Sequence, residues 1–260
     1  MDEGRRFNRM QNQVLQLTKW IQQNQRIVFF GGAGVSTDAG IPDFRSKDGI
    51  YTKNRNKYPY EPEEMLSVSM LLNNPRLHFQ FVRENMEHGD IQPAYSHRFL
   101  AALEASGKDV AVVTQNTDGL HQAAGSQNVW VLHGDNRRYC MACGKTVEKN
   151  QAQLDDEGIP RCPYCQEGII RGNVVMFGEN LDSKVVSGAI DAIAKADLLI
   201  VAGTSLNVYP AVSFIQYYPG DRFVVINKEP VVQAPGSLFI QAGISEVFQQ
   251  VNETLALPVS

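Results

Sequence analysis

The first regular pattern along the chain is helical. Between residues 8 and 25, Val14, Leu15, Leu17, Thr18 and Ile21 fall on one side of a 3.6-residue period, with glutamines and Lys19 opposite, which predicts an amphipathic helix packed on a core. The period then stops. Ile27, Val28, Phe29 and Phe30 follow Arg26 with the β-branched and aromatic content of a buried strand. Gly31, Gly32 and Gly34 come next, and their small size lets backbone amides approach a bound phosphate. A helix starting at Val35 or Ser36 would aim its positive end at the same place. A dinucleotide fingerprint would carry a third glycine three residues after Gly34, where Thr37 stands, so by spacing alone the match is partial.

Residues 46–92 show no strand alternation. They read as a helical module, with helical stretches around 62–66 and 77–86 and apolar positions at Leu77, Phe81 and Val82. Another amphipathic helix is expected over 96–106, with Gly107 as its C-terminal cap. Strand-like apolar runs return at 110–114, 129–132, 173–177, 198–202 and 223–226, several of them continuous and separated by helical stretches. That is the pattern of a parallel sheet covered on both faces, a doubly wound α/β fold. Residues 1–45, 93–135 and 172–260 are assigned to this Rossmann-like domain. The helical module 46–92 and a cysteine-bearing module 136–171 form a smaller inserted domain. Ligands of such sheets bind beyond the carboxyl ends of the strands. The polar groups there are Gln115-Asn116-Thr117-Asp118, His133-Gly134, Gly203-Thr204-Ser205 and Asn227-Lys228-Glu229, which are expected to converge on one crevice.

Composition narrows the class. With 260 residues and 43% hydrophobic content, the chain can fill a sizeable core. Its formal net charge of -4 and the lack of a Lys/Arg block argue against nucleic acid as the main partner. No apolar run is long enough to span a bilayer and the polar N-terminus is not a secretory signal, so a cytoplasmic location is expected. Four cysteines change the picture more. Cys140 and Cys143, then Cys162 and Cys165, form two C-x2-C pairs separated by 18 residues, the spacing of a tetrahedral four-thiolate zinc site. Disulfides or buried free thiols are the alternatives, and the absence of a secretory signal weighs against the former. With all four positions taken by sulfur, no place is left for a catalytic water, and the zinc is expected to be structural.

Successive motifs carry a family resemblance. They are residues 32–36 (GAGVS), 40–45 (GIPDFR), 114–121 (TQNTDGLH), His133-Gly134, the paired C-x2-C, 174–179 (VVMFGE) and 203–206 (GTSL). In this order they resemble the signature of the sirtuins, over residues 26–247. The family commonly has Pro and Trp where this chain has Gly172 and Met176, and often Ile at position 117, where Thr stands here.

The resemblance implies an NAD-dependent protein-lysine deacylase that consumes NAD and yields nicotinamide and O-acyl-ADP-ribose, with an acyl-lysine protein or peptide as partner. It implies His133 as catalytic base, with Asn116 and Ser36 positioning the ribose and an ordered water. Asp118 and residues 41–44, with Asp43 and Phe44, would form the nicotinamide pocket. The implied NAD set is completed by Ala33, Gly34, Thr37, Ile41, Arg45, Gln115, Thr117, Gly203, Thr204, Ser205, Asn227 and Ile244. The acyl peptide would pair as an added strand with Val174, Val175, Phe177, Gly178 and Glu179 on one side and Asn207 on the other. Family members selective for acidic acyl groups carry a Tyr-x-x-Arg pair in the helical module; residues 77–83 (LHFQFVR) hold none, so an uncharged acyl group is expected.

Read without the motif series, the same residues are plainer. A lone His after a strand is more often structural than chemical, Asp118 could serve as a helix cap, and His97 and His121 read as packing or hydrogen-bonding residues. Two other functions use the same features: transfer of ADP-ribose to protein, and a non-enzymatic zinc and NAD-binding sensor. The second needs no base, and His133 with Asn116 and Asp118 speaks against it.

Overall fold

The computed structural model describes residues 2–206, 209–231 and 236–259. In chain order, α1 (Asp2–Gln23) leads into β1 (Arg26–Gly31). Short helices follow: α2 (Ile50–Asn54), α3 (Pro62–Met65), α4 (Val68–Asn73) and α5 (Pro75–Asn85). Then come α6 (Tyr95–Ala105), β2 (Asp109–Thr114), α7 (Leu120–Ala123), β3 (Val129–Val131) and β4 (Gly134–Cys140). The small strands β5 (Gln153–Leu154) and β6 (Pro160–Arg161) precede β7 (Ile170–Val174). The remaining elements are α8 (Ser183–Lys195), β8 (Leu198–Ala202), β9 (Phe223–Ile226), β10 (Leu238–Ile240) and α9 (Ile244–Leu255).

Two compact units emerge. The first comprises residues 1–42, 91–132 and 183–260, the second 43–90 and 133–182. In the first, six strands form one sheet in the order β10-β9-β8-β1-β2-β3, every neighbouring pair parallel. Numbered along the chain within this sheet, that is the 3-2-1-4-5-6 order of dinucleotide-binding folds, with the reversal between β1 and β8. The continuous apolar runs of β1, β2 and β8 are buried on both faces, as expected for central parallel strands. One face packs Val14, Leu17 and Ile21 of α1, Phe99 and Leu103 of α6, and Val247, Phe248 and Val251 of α9 onto the strand residues Ile27, Phe29, Val112 and Ile200. Phe99 and Phe248 stack there with ring centroids 4.5 Å apart. After α6, Gly107 takes a left-handed φ of 96°, as its expected capping role requires.

Two strand expectations are corrected. The run at 173–177 does not join the parallel sheet: β7 ends at Val174 and pairs antiparallel with β4, so residues 172–182 fold with the second unit. The sixth parallel strand is β10, whose three residues are too short to show a period. The second unit holds α2 to α5 around Ile50, Met65, Met70 and Phe81, and the β4–β7 and β5–β6 pairs around the cysteines. Leu71 and Phe79 of the helices pack with Ile159, Ile169 and Met176, joining both parts of this unit in one cluster.

Candidate functional site

The loops after β1 and β8 meet at the reversal point of the sheet. The Gly34 amide donates to the Gly203 carbonyl at 2.8 Å, and a Cβ on Gly34 would lie 2.8 Å from the Gly203 Cα. Gly203 itself has a φ of +60°, and a Cβ there would meet the Val35 nitrogen at 2.6 Å. These glycines are therefore required by two backbones crossing in contact. No α-helix starts at Val35 or Ser36. Two 3₁₀ turns, Ala33–Val35 and Thr37–Ala39, stand in its place, because the Val35 and Ser36 amides turn back to Gly32 and Ala33 and Gly40 takes a φ of 96° that ends the winding. No α-helix dipole is available at this loop.

A buried polar network lies beside the crossing. Ser36 is 1% exposed. Its hydroxyl donates to Asp118 Oδ2 at 2.6 Å and accepts from Asn116 Nδ2 at 3.1 Å. Asn116 Nδ2 also reaches the Gly32 carbonyl at 3.1 Å, and the Asn116 amide donates to Thr114 Oγ1 at 3.0 Å, so the end of β2 fixes this side chain. His97 completes the network. Its Nδ1 accepts from the Ala94 amide at 3.2 Å, which assigns the proton to Nε2, 3.5 Å from Ser36 Oγ. Burial pushes the His97 imidazole down to about 4, keeping it neutral. His121 packs against it with ring centroids 4.6 Å apart and is pushed down to about 3 by burial and then by His97. The other carboxylate oxygen of Asp118 accepts from the Leu120 amide at 2.9 Å, so this Asp both holds the turn leading into α7, whose cap is Gly119, and orients Ser36.

Other expected NAD contacts of the first unit flank this network. Gln115 Nε2 donates to Thr204 Oγ1 at 3.4 Å, joining the ends of β2 and β8. Thr37 Oγ1 donates to the Gly34 carbonyl at 3.0 Å. Asn227, after β9, donates to the Glu229 carbonyl, and Lys228 pairs with Asp38 at 3.4 Å. Ile244 lies in the core at the first turn of α9, so any contact it makes with a nucleotide runs through its main chain. Ala33, Ile41, Thr117 and Ser205 are half-buried on the same loops.

The second unit carries the rest. Asp43 Oδ1 accepts from the Ser46 amide at 2.9 Å, Phe44 packs on Tyr51, and Arg45 lies over the Tyr51 ring and 3.6 Å from Glu63. His133 is the first residue of this unit after β3; it is half-buried, and its carbonyl accepts the Val175 amide at 2.8 Å. Val174 ends β7 and Val175, Phe177, Gly178 and Glu179 follow it on one loop, while Asn207 lies outside the described residues. His97 does the hydrogen bonding and packing expected of it, with Ser36 and His121 as its partners. Arg171 is not among the expected site residues, although a single cation between the apolar pairs Ile169-Ile170 and Val174-Val175 is a signal that something pairs it.

The four cysteines meet. Their Sγ atoms all lie within 4.8 Å of one another, with Cys140 to Cys165 at 3.6 Å and Cys143 to Cys162 at 3.8 Å. Zn–S bonds of about 2.3 Å in a tetrahedron place sulfurs roughly 3.8 Å apart, so the set fits one zinc ion. Gly168 makes room for it, since a Cβ there would sit 2.2 Å from Cys140 Sγ.

Comparisons with known proteins point one way. The model of the Sir2 family matches residues 32–210. The NAD-dependent protein deacetylase of Clostridium acetobutylicum is 43% identical over 242 residues, covering 92% of this chain and 98% of that protein. Among solved structures, a Sir2 protein with a deacetylated p53 peptide and 3′-O-acetyl ADP ribose superposes with a TM-score of 0.82 at 31% identity, over 93% of this chain and 98% of the other. Sir2Tm bound to a propionylated peptide gives a TM-score of 0.77 at 30% identity, over 93% and 98%.

Proposed function

Since the chain belongs to the Sir2 family, we propose that it is an NAD-dependent protein-lysine deacylase acting on acetyl and other uncharged acyl groups. The observation that carries the reading is the Ser36–Asn116–Asp118 network at the reversal point of a 3-2-1-4-5-6 sheet, the place where such folds bind dinucleotides. NAD is a substrate here, and no hydride moves. The acyl oxygen of the modified lysine is a weak nucleophile, so it bonds to the ribose carbon as nicotinamide departs with the electrons of the glycosidic bond. Asp118, with its carboxylate held between Ser36 and the Leu120 amide, is assigned to the nicotinamide side. Asn116 and Ser36 are assigned to the ribose and its water. His133 then takes a proton through the ribose hydroxyls, the 2′-oxygen attacks the imidate carbon, and addition of one water releases free lysine and O-acyl-ADP-ribose.

Cys140, Cys143, Cys162 and Cys165 hold a zinc that supplies fold energy and no chemistry, because its four positions are filled by sulfur. No helix among the described residues is long and apolar enough to cross a membrane. Thiols kept as metal ligands suit a reducing compartment, and the cytoplasm is the proposed location. The test is incubation with an acetyl-lysine peptide and NAD. Free lysine peptide, nicotinamide and O-acetyl-ADP-ribose in equal amounts are expected; consumption of NAD without acetyl transfer to ADP-ribose would refute the assignment.

A further inference from the structure

The loop expected to hold the acyl peptide is tied from beneath by a buried cation. Arg171, on β7, is 7% exposed. Its guanidinium forks onto Glu179, with Nη1 2.6 Å from Oε1 and Nη2 2.8 Å from Oε2. The same side chain donates to the Val174 carbonyl at 2.5 Å and to the Gly172 carbonyl at 3.1 Å. Glu179 Oε2 also accepts the Met176 amide at 2.9 Å. Both carboxylate oxygens are thus engaged inside residues 171–179, and the pair closes that stretch into a ring. Two backbone ties continue from it. The Val175 amide donates to the His133 carbonyl at 2.8 Å, and Phe177 exchanges hydrogen bonds with Leu66 and Val68 at 3.2 and 3.0 Å. Phe177 is left exposed, and Met176 turns into the cluster of Leu71, Phe79, Ile159 and Ile169.

We infer that Arg171 and Glu179 are positioning residues of the deacylation reaction: their ion pair sets the register of the 174–179 loop against His133, and Glu179 acts through Arg171 instead of touching the peptide. This rests on the deacylase reading above. A bidentate Arg–carboxylate pair has one preferred plane and spacing, which an apolar pair of similar volume lacks. Stability alone does not call for it, because buried ion pairs exchange for well-packed apolar residues at little cost. What the pair supplies is a fixed distance between Val174 and Glu179, and so a fixed main-chain edge at Val175 beside His133.

The test separates register from folding. Glu179→Gln keeps an acceptor for the Met176 amide but removes the charge facing Arg171; the double variant Arg171→Met with Glu179→Met removes the pair without leaving a buried charge. Both are assayed with an acetyl-lysine peptide at saturating NAD, and for NAD at saturating peptide, alongside zinc content and melting temperature. The peptide KM is expected to rise roughly tenfold or more in both, with the KM for NAD within about twofold of wild type. The double variant is expected to melt near wild type and retain its zinc, yet keep the raised peptide KM. Arg171→Lys, with charge but no fork, should fall between. If the double variant recovers the wild-type peptide KM, or if both KM values move together, the pair is merely structural and the inference is overturned. Failure of the wild-type protein to release the three products would instead refute the deacylase reading, and this inference with it.

Discussion

Three histidines in this protein serve in two different ways. His133 is half-buried at the head of a strand and is proposed to exchange a proton during turnover. His133→Ala is expected to lower deacylation by ~10² to 10⁴ while NAD binding persists, measured by steady-state turnover and by NAD titration. Asp118→Asn should instead weaken inhibition by added nicotinamide, since its carboxylate is assigned to the carboxamide side. His97 and His121 work as neutral structural groups. Their imidazoles lie at about 4 and about 3, below the free value of ~6.5, so folding favours the uncharged form. That contribution is fully present above about pH 6.5 and is lost as pH falls through the folded values. The melting temperature is therefore expected to drop between about pH 6.5 and 3. His121→Phe should flatten the drop, because neither His121 ring nitrogen has a protein partner to lose. An equally steep pH profile in that variant would reject the assignment.

At the scale of elements, close approach decides more than helix propensity does. The loop after β1 is glycine-rich because it crosses the loop after β8 backbone to backbone. Gly34→Ala places a methyl 2.8 Å from the Gly203 Cα, and neither main chain can yield cheaply. Loss of about 1–3 kcal/mol in stability is expected from such overpacking, together with weakened NAD binding, read by chemical denaturation and calorimetry. The cysteine knuckles show the same economy. After each second Cys the chain turns through a left-handed residue, Gly144 at φ 70° and Gln166 at φ 62°. Gln166→Gly should raise stability by up to about 1 kcal/mol in thermal unfolding, since glycine adopts that conformation without a Cβ penalty.

On the scale of the whole molecule, the chain passes between its two units at residues 42, 90, 132 and 182. The second unit is thus built of two insertions, each with a small core of its own, and the zinc ligands sit in the later one. Removing the metal, by chelation or by Cys162→Ala, is expected to release the β4–β7 pair while the parallel sheet survives. Hydrogen exchange should show amides of residues 134–140 and 170–174 losing protection, with those of 26–31, 109–114 and 198–202 unchanged. Uniform loss across both sets would show that the units fold as one. Neighbouring Leu71, Phe79 and Met176 share a cluster with Ile159 and Ile169, so peptide KM should rise on metal loss along with the exposure of that cluster.

What the sequence by itself determined is local. Apolar runs of four or five residues specify buried strands, since each residue of such a run needs burial on one face or the other, and β1, β2, β8 and β9 follow. Two C-x2-C pairs specify a four-sulfur site, since the spacing within each pair already holds two sulfurs together. Tertiary structure decided which partners those segments take. Residues 173–177 carry a strand-like run, yet the strand formed there is 170–174 and pairs with β4 and not with the parallel sheet; β10 is a strand because Phe239 and its neighbours find β9. The turns over 33–39 are 3₁₀ because the Val35 and Ser36 amides bond back to Gly32 and Ala33, and Arg171 is paired because Glu179 folds back across eight positions to meet it. Periodicity reports a segment's own burial within a few residues. Register, crossing backbones and ion pairs are set by residues elsewhere in the chain, and only folding brings those within reach.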